Sequence, residues 1–165
     1  MKENVLAKLR AISIFEGIDG GQLDAIADLM TTRSAAKGEA VVTEGEMGDE
    51  MFVLLEGAVV ISRRTLDDEQ YTVAELHAQD NHFFGELALL DEDRRSATIT
   101  AREKCVLLAL KRDDFMGLGE SESEMALRIT RRLAQRVSQQ LRETNQDVIL
   151  LFEALVTEVR ARESE

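Results

Sequence analysis

MFVLLEGAVVISRR, residues 51–64, decides the fold class. Two short apolar runs rich in Val, Leu and Ile flank Glu56-Gly57, and each is too short for a helix with its own buried face, so both read as strands. Outward from this stretch the same texture recurs in AVVTEG (40–45), YTVAEL (71–76), ATITA (97–101) and CVLLAL (105–110), separated by Gly, Asp, Asn or charged turns. Gly45, Gly48 and Gly57 fall at turn positions, where a positive φ is cheap only for glycine. Residues 37–110 are therefore expected to form a β-sandwich or roll.

The flanks follow a different period. Val5, Leu6, Leu9 and Ile12 give an apolar stripe in a helical stretch expected over 4–31, and Gly20-Gly21 precedes a second stripe of Leu23, Ile26, Ala27, Leu29 and Met30. From Glu120 onward the pattern is helical to the end, with Ser121 and Glu124 spaced as a capping box. GLG at 117–119 is read as a turn before this helix. Met125, Ile129, Leu133, Val137 and Leu141 recur every four residues, a stripe suited to packing against a globular body. Beyond it, Leu141, Val148, Leu151 and Leu155 approximate a coiled-coil seam, with Thr144 and Glu158 as weak members, and residues 144–147 favour caps as much as helix interiors, a place for a break.

Composition narrows the function classes. The 32 acidic and 20 basic residues leave a formal charge of −12, which repels nucleic-acid phosphates and anionic membrane surfaces. MKENVLAKLR at the N-terminus lacks a signal-peptide apolar core, and no apolar run reaches the roughly 18 residues of a membrane span. A cytoplasmic location is expected. Cys105 is the one cysteine, and within CVLLAL it reads as core filler. His77 and His82 have no metal-ligand spacing and read as solvated turn residues. No convincing nucleophile and base are present, so no enzymatic activity and no metal are expected.

The remaining chemistry lies in FGELALLDEDRRSATI, residues 84–99. Gly85 lets backbone approach a ligand, and the short helical turn after it directs free N–H groups at an anion. Glu86 is a poor phosphate partner but can accept from sugar hydroxyls. Arg95 supplies a planar fork matched to phosphate oxygens, and Ser96 adds a hydroxyl. Together these describe a site for a ribose joined to a phosphate. On spacing alone, a charged surface turn whose arginines pair with Asp91, Glu92 and Asp93 explains the stretch equally well.

FGELALL followed by RRSATITA resembles the phosphate-binding cassette of the cyclic-nucleotide-binding domain, usually FGELAL followed by Pro-Arg-Ala/Ser-Ala-Thr/Ser. EGEMGDEMFVLLEGAVVIS (44–62) is similar to that family's glycine-punctuated strands, and LRAISIFEGIDGGQLDAIADLM (9–30) resembles its helical entry. The resemblance covers about residues 9–143. It implies an α+β fold: an antiparallel β-roll, jelly-roll-like, flanked by N-terminal helices and a long C-terminal helix. The domain would span 1–143, with a lid helix over about 120–143, and 144–165 would be a helical extension, a candidate coiled coil.

Carried over by position, the resemblance places Glu86 on the ribose 2′-hydroxyl, the Leu87 and Ala88 N–H groups at the cyclic phosphate, and Arg95 on its negative oxygens, with Gly85 letting the backbone approach the ligand. Ser96 follows that arginine, as in relatives of bacterial catabolite activators that bind cAMP; threonine there tends to accompany cGMP. The long helix would bring Gln140 and Arg136 to the base or the pocket mouth. Arg94 departs from the usual proline: it either strengthens anion capture or, the favoured expectation, neutralises Asp91–Asp93.

The expected function is a non-enzymatic cAMP receptor signalling through its C-terminal helix to an unknown effector protein or a second protomer in a homodimer. A receptor for cGMP or a cyclic dinucleotide is one alternative. The other is a nucleotide-independent interaction scaffold working through the 141–159 seam. A helix-turn-helix has no room before Glu165, so direct nucleic-acid reading is not expected, nor is membrane binding.

Overall fold

Two consecutive apolar runs within residues 51–64 form two neighbouring strands, each belonging to a different sheet. The computed structural model describes residues 2–162. In chain order the elements are α1 (Lys2–Ala11), a 3₁₀ turn (Ser13–Phe15), α2 (Gly20–Leu29), β1 (Thr31–Ala35), β2 (Ala40–Val42), β3 (Glu50–Glu56), β4 (Ala58–Arg64) and β5 (Gln70–His77). A second 3₁₀ turn (Ala78–Asp80), β6 (Phe83–Phe84), a third such turn (Glu86–Leu89), β7 (Thr98–Ala101), β8 (Cys105–Lys111), α3 (Arg112–Ser121) and α4 (Ser123–Arg162) follow. The chain divides into two units, Met1–Ile129 and Thr130–Glu165.

In the first unit, two four-stranded antiparallel sheets run β1-β8-β3-β6 and β2-β7-β4-β5. Phe52, Leu54, Phe84, Leu107 and Ala109 of one sheet meet Val42, Val59, Ile99 and Ala101 of the other in a single apolar cluster. The opposite faces of β3 and β8 bury Met51, Val53, Leu108 and Leu110 as well. These strands are apolar at consecutive positions because both their faces leave water. Cys105 belongs to the cluster, its thiol donating to Ala58 O at 3.2 Å, and burial pushes its pKa up. It is core filler, as expected. The β-roll with flanking helices therefore matches the expected fold class.

Local differences have local causes. The expected helical stretch over 4–31 is two helices, interrupted by the 3₁₀ turn and restarted where Asp19 accepts from Gln22 N at 2.9 Å. Its last residue, Thr31, opens β1, TTRSA, whose side chains are exposed at four of five positions and so carry no apolar alternation. GLG at 117–119 is not a turn but part of α3. Neither glycine has a left-handed φ, and Phe115 and Leu118 bury the helix face that holds it in place. Ser121 does not cap α4; its hydroxyl donates back to Leu118 O at 3.3 Å, and the chain turns at Glu122.

α4 continues without a break through 144–147. Met125, Ile129 and Leu133 are fully buried along its early part. Further along α4, Leu141, Val148, Leu151, Phe152 and Leu155 are exposed.

Gly57 joins the two sheets with φ +90°, and a Cβ there would lie 2.7 Å from Lys104 O and 2.8 Å from Cys105 Sγ. Gly57→Ala combines backbone strain with overpacking and is expected to cost roughly 1–3 kcal/mol of unfolding free energy. Urea denaturation measures it, and a midpoint unchanged from wild type would contradict this account of the β3–β4 junction.

Candidate functional site

The site begins where β6 ends. Phe84 stacks on Phe52, with ring centroids 5.5 Å apart, and this pins the strand against the core. Gly85 then takes φ +73° and ψ 16°, a left-handed conformation that lets the chain turn at once into the 3₁₀ turn Glu86–Leu89. Ala88 and Leu89 are buried, while Leu87 and Leu90 are 40% exposed. Glu86 is only 8% exposed, which is unusual for a carboxylate. The turn uses the Ala88 N–H, which donates to Gly85 O at 3.2 Å. Leu87 lies in the first turn, where an N–H has no partner within the helix.

Arg95 returns to this turn from the far side of the charged loop. Its backbone is clamped to the 45–50 segment: Arg95 N donates to Glu46 O at 2.8 Å, and Gly45 N donates to Arg95 O at 2.9 Å. Its guanidinium spans two further carbonyls, donating from Nη2 to Glu50 O at 2.7 Å and from Nη1 to Gly85 O at 3.3 Å. Burial lowers its pKa from the ordinary arginine value, against Asp49 and Glu50, whose charges raise it. The group remains a cation, half-withdrawn from water, beside the 3₁₀ turn that carries Glu86.

The structure thus brings Gly85, Glu86, Leu87, Ala88 and Arg95 together in the first unit. Ser96 is exposed beside them, and its carbonyl accepts from Arg63 Nε at 3.0 Å. Arg63 faces Tyr71 across the β4–β5 ladder. Arg136 and Gln140 lie in the second unit, on α4, and are exposed there.

The charged loop differs from expectation. Arg94 does not neutralise Asp91–Asp93 with its guanidinium, which instead donates from Nη1 to Gly45 O at 2.6 Å, while Arg94 N donates to Asp93 Oδ1 at 2.7 Å. The bridge between Met47 and Arg94 places that carbonyl within its reach. Glu92 pairs with Arg112, the first residue of α3, whose N–H donates to Asp49 O at 2.7 Å. Sequence reasoning missed Glu50, Arg63 and Arg112 as parts of the site. Glu50 contributes a main-chain carbonyl, which no side-chain pattern reveals; Arg63 and Arg112 arrive through sheet register and helix placement.

Comparison with known proteins assigns the family. The description of the cyclic nucleotide-binding domain matches residues 32–122, from β1 to the end of α3. The chain belongs to the cyclic nucleotide-binding domain family. It is 36% identical over 109 residues to a cAMP-dependent protein kinase regulatory subunit of Dictyostelium discoideum, covering 63% of this chain and 33% of that protein. The catabolite activator protein of Thermus thermophilus superposes with a TM-score of 0.75 and 29% identity, covering 84% of this chain and 62% of that one. The regulatory domain of Toxoplasma gondii PKA, crystallised with cAMP, gives 0.69 and 27%, covering 84% and 50%. The chain spans about a third or less of the length of the curated relatives it matches. Among the described residues no helix is long and apolar enough to cross a membrane.

Glu92 is mostly solvated, so its pair with Arg112 anchors the loop more than it stabilises the domain. Arg112→Gln is expected to cost no more than about 1 kcal/mol in global stability while speeding amide exchange in residues 90–94. Exchange rates equal to wild type would show that the pair does not hold the loop.

Proposed function

We propose that this cyclic nucleotide-binding domain is a cAMP receptor module, with Gly85, Glu86, Leu87, Ala88, Arg95 and Ser96 forming its ligand site. One observation carries the reading: the Arg95 guanidinium reaches Gly85 O, so a cation and the turn bearing a buried carboxylate, ten residues apart in sequence, share one site. In this site Arg95 faces the cyclic phosphate, with the Leu87 N–H as a second donor, and Glu86 accepts from the ribose 2′-hydroxyl. The Ala88 N–H joins only by exchanging its bond to Gly85 O for the ligand. Ser96 favours adenine, and relatives whose names include cAMP support that preference. The module carries out no reaction.

Ligand binding reorganises residues 86–96, and the signal passes along α4, which is continuous from Ser123 to Arg162. The nucleotide shifts the equilibrium only by its different affinity for two states of the chain. The 144–165 extension is the output surface in the cytoplasm, and its exposed Val148, Leu151 and Leu155 meet a second copy or an effector protein.

A thermal-shift panel of cAMP, cGMP and cyclic dinucleotides tests the ligand, since binding to the folded state alone raises the melting temperature. The largest stabilisation is expected from cAMP, whereas no response to any nucleotide would support an interaction scaffold instead. In calorimetry, Arg95→Ala is expected to weaken cAMP binding by roughly 2–5 kcal/mol; equal affinity would remove Arg95 from the site. For the output surface, Leu151→Glu with Leu155→Glu in the full chain is expected to convert a dimer to a monomer in light scattering. An unchanged oligomer would exclude that seam as the interface.

A further inference from the structure

The Arg95 guanidinium lies across Gly48. A Cβ built on Gly48 would sit 1.8 Å from Arg95 Nε, 2.2 Å from Cζ and 2.6 Å from Nη2, so any side chain there occupies the arginine's own volume. The backbone does not demand glycine, because Gly48 has no left-handed φ. Space is the reason, and the atom that uses the space belongs to the proposed phosphate partner. Two residues on, Glu50 O takes the shorter hydrogen bond of the guanidinium, at 2.7 Å. Gly85 also abuts the guanidinium, for a Cβ there would lie 2.8 Å from Arg95 Nη1 and 3.1 Å from Glu50 O.

We propose that Gly48 is a positioning residue for ligand binding: by lacking a side chain it forms the floor on which Arg95 lies, and so sets where the cation faces the nucleotide phosphate. This inference rests on the receptor reading above. The collision partner is the end of a flexible side chain, which can swing away. Gly48→Ala therefore leaves a folded domain whose arginine has been expelled from between Glu50 O and Gly85 O. A planar guanidinium recognises a phosphate edge through its orientation, so a cation that remains nearby but is misdirected loses much of its value.

The test is a double-mutant cycle on the full chain with Gly48→Ala, Arg95→Ala and the combined variant, read by cAMP calorimetry. Gly48→Ala is expected to weaken binding about tenfold or more, a decade being about 1.4 kcal/mol, yet to change nothing further once Arg95 is already alanine. Wild-type affinity in Gly48→Ala, or an equal loss in both backgrounds, would overturn the assignment. A second readout needs no nucleotide: NMR resonances of the Arg95 guanidinium should shift and broaden in ligand-free Gly48→Ala, and unchanged resonances would overturn it. If the wild type binds no nucleotide at all, the receptor reading fails, while the ligand-free resonances still decide whether Gly48 holds Arg95.

Discussion

The arrangement around the site depends on a half-buried cation that is satisfied by main-chain carbonyls. Removing a guanidinium from water is expensive unless its N–H groups find acceptors, and Arg95 finds Glu50 O and Gly85 O. Those two carbonyls belong to segments distant in sequence, one entering β3 and one leaving β6. Arg95 consequently ties them together, and its own backbone bonds to Gly45 and Glu46 close the assembly. Asp49 and Glu50 counter the desolvation cost with negative charge, so the group stays ionised without a bidentate carboxylate to occupy its fork. A fork held by neutral carbonyls remains attractive to an anion, whereas one clamped by a carboxylate would already be neutralised.

The surrounding charges follow the same division. Glu50 directs its carboxylate outward to Arg33 at 2.8 Å, leaving its carbonyl for Arg95. Glu92 is drawn to Arg112, and Arg94 to Gly45 O, so the acidic loop is tied at both ends. The Arg112 N–H on Asp49 O adds a direct connection from the start of α3 to the strand that cradles the arginine. Loop, strand and helix thus share a boundary within a few residues of Glu50.

Much of this fold was legible before any coordinates. The strands from β2 to β5, with β7 and β8, announce themselves through short apolar runs between turns, and in all of them but β5 burial between or beneath the sheets selects those side chains. β1 leaves none: TTRSA is exposed at four positions and is a strand only because β8 pairs with it along its whole length. The α3 glycines mislead for the opposite reason, since intrinsic propensity suggests a turn and tertiary burial of Phe115 and Leu118 overrides it. In the site, Glu86, Arg95 and Gly85 were visible as a motif. The role of Gly48 was not, because a missing Cβ reveals its purpose only when the atom filling that space is known.

What the sequence determined by itself is the inventory: a series of short strands, flanking helices, and a carboxylate and an arginine bracketing an acidic loop. Apolar periodicity and residue chemistry are local properties, so a linear reading recovers them. The tertiary structure alone decided which main-chain carbonyls receive Arg95, that Arg94 turns to Gly45, that Glu92 finds Arg112, and that Gly48 must be bare. Each of these joins residues brought together by sheet register rather than by spacing. Hydrogen bonds to the main chain leave no trace in side-chain identity, and a steric requirement exists only between atoms that the fold has already placed.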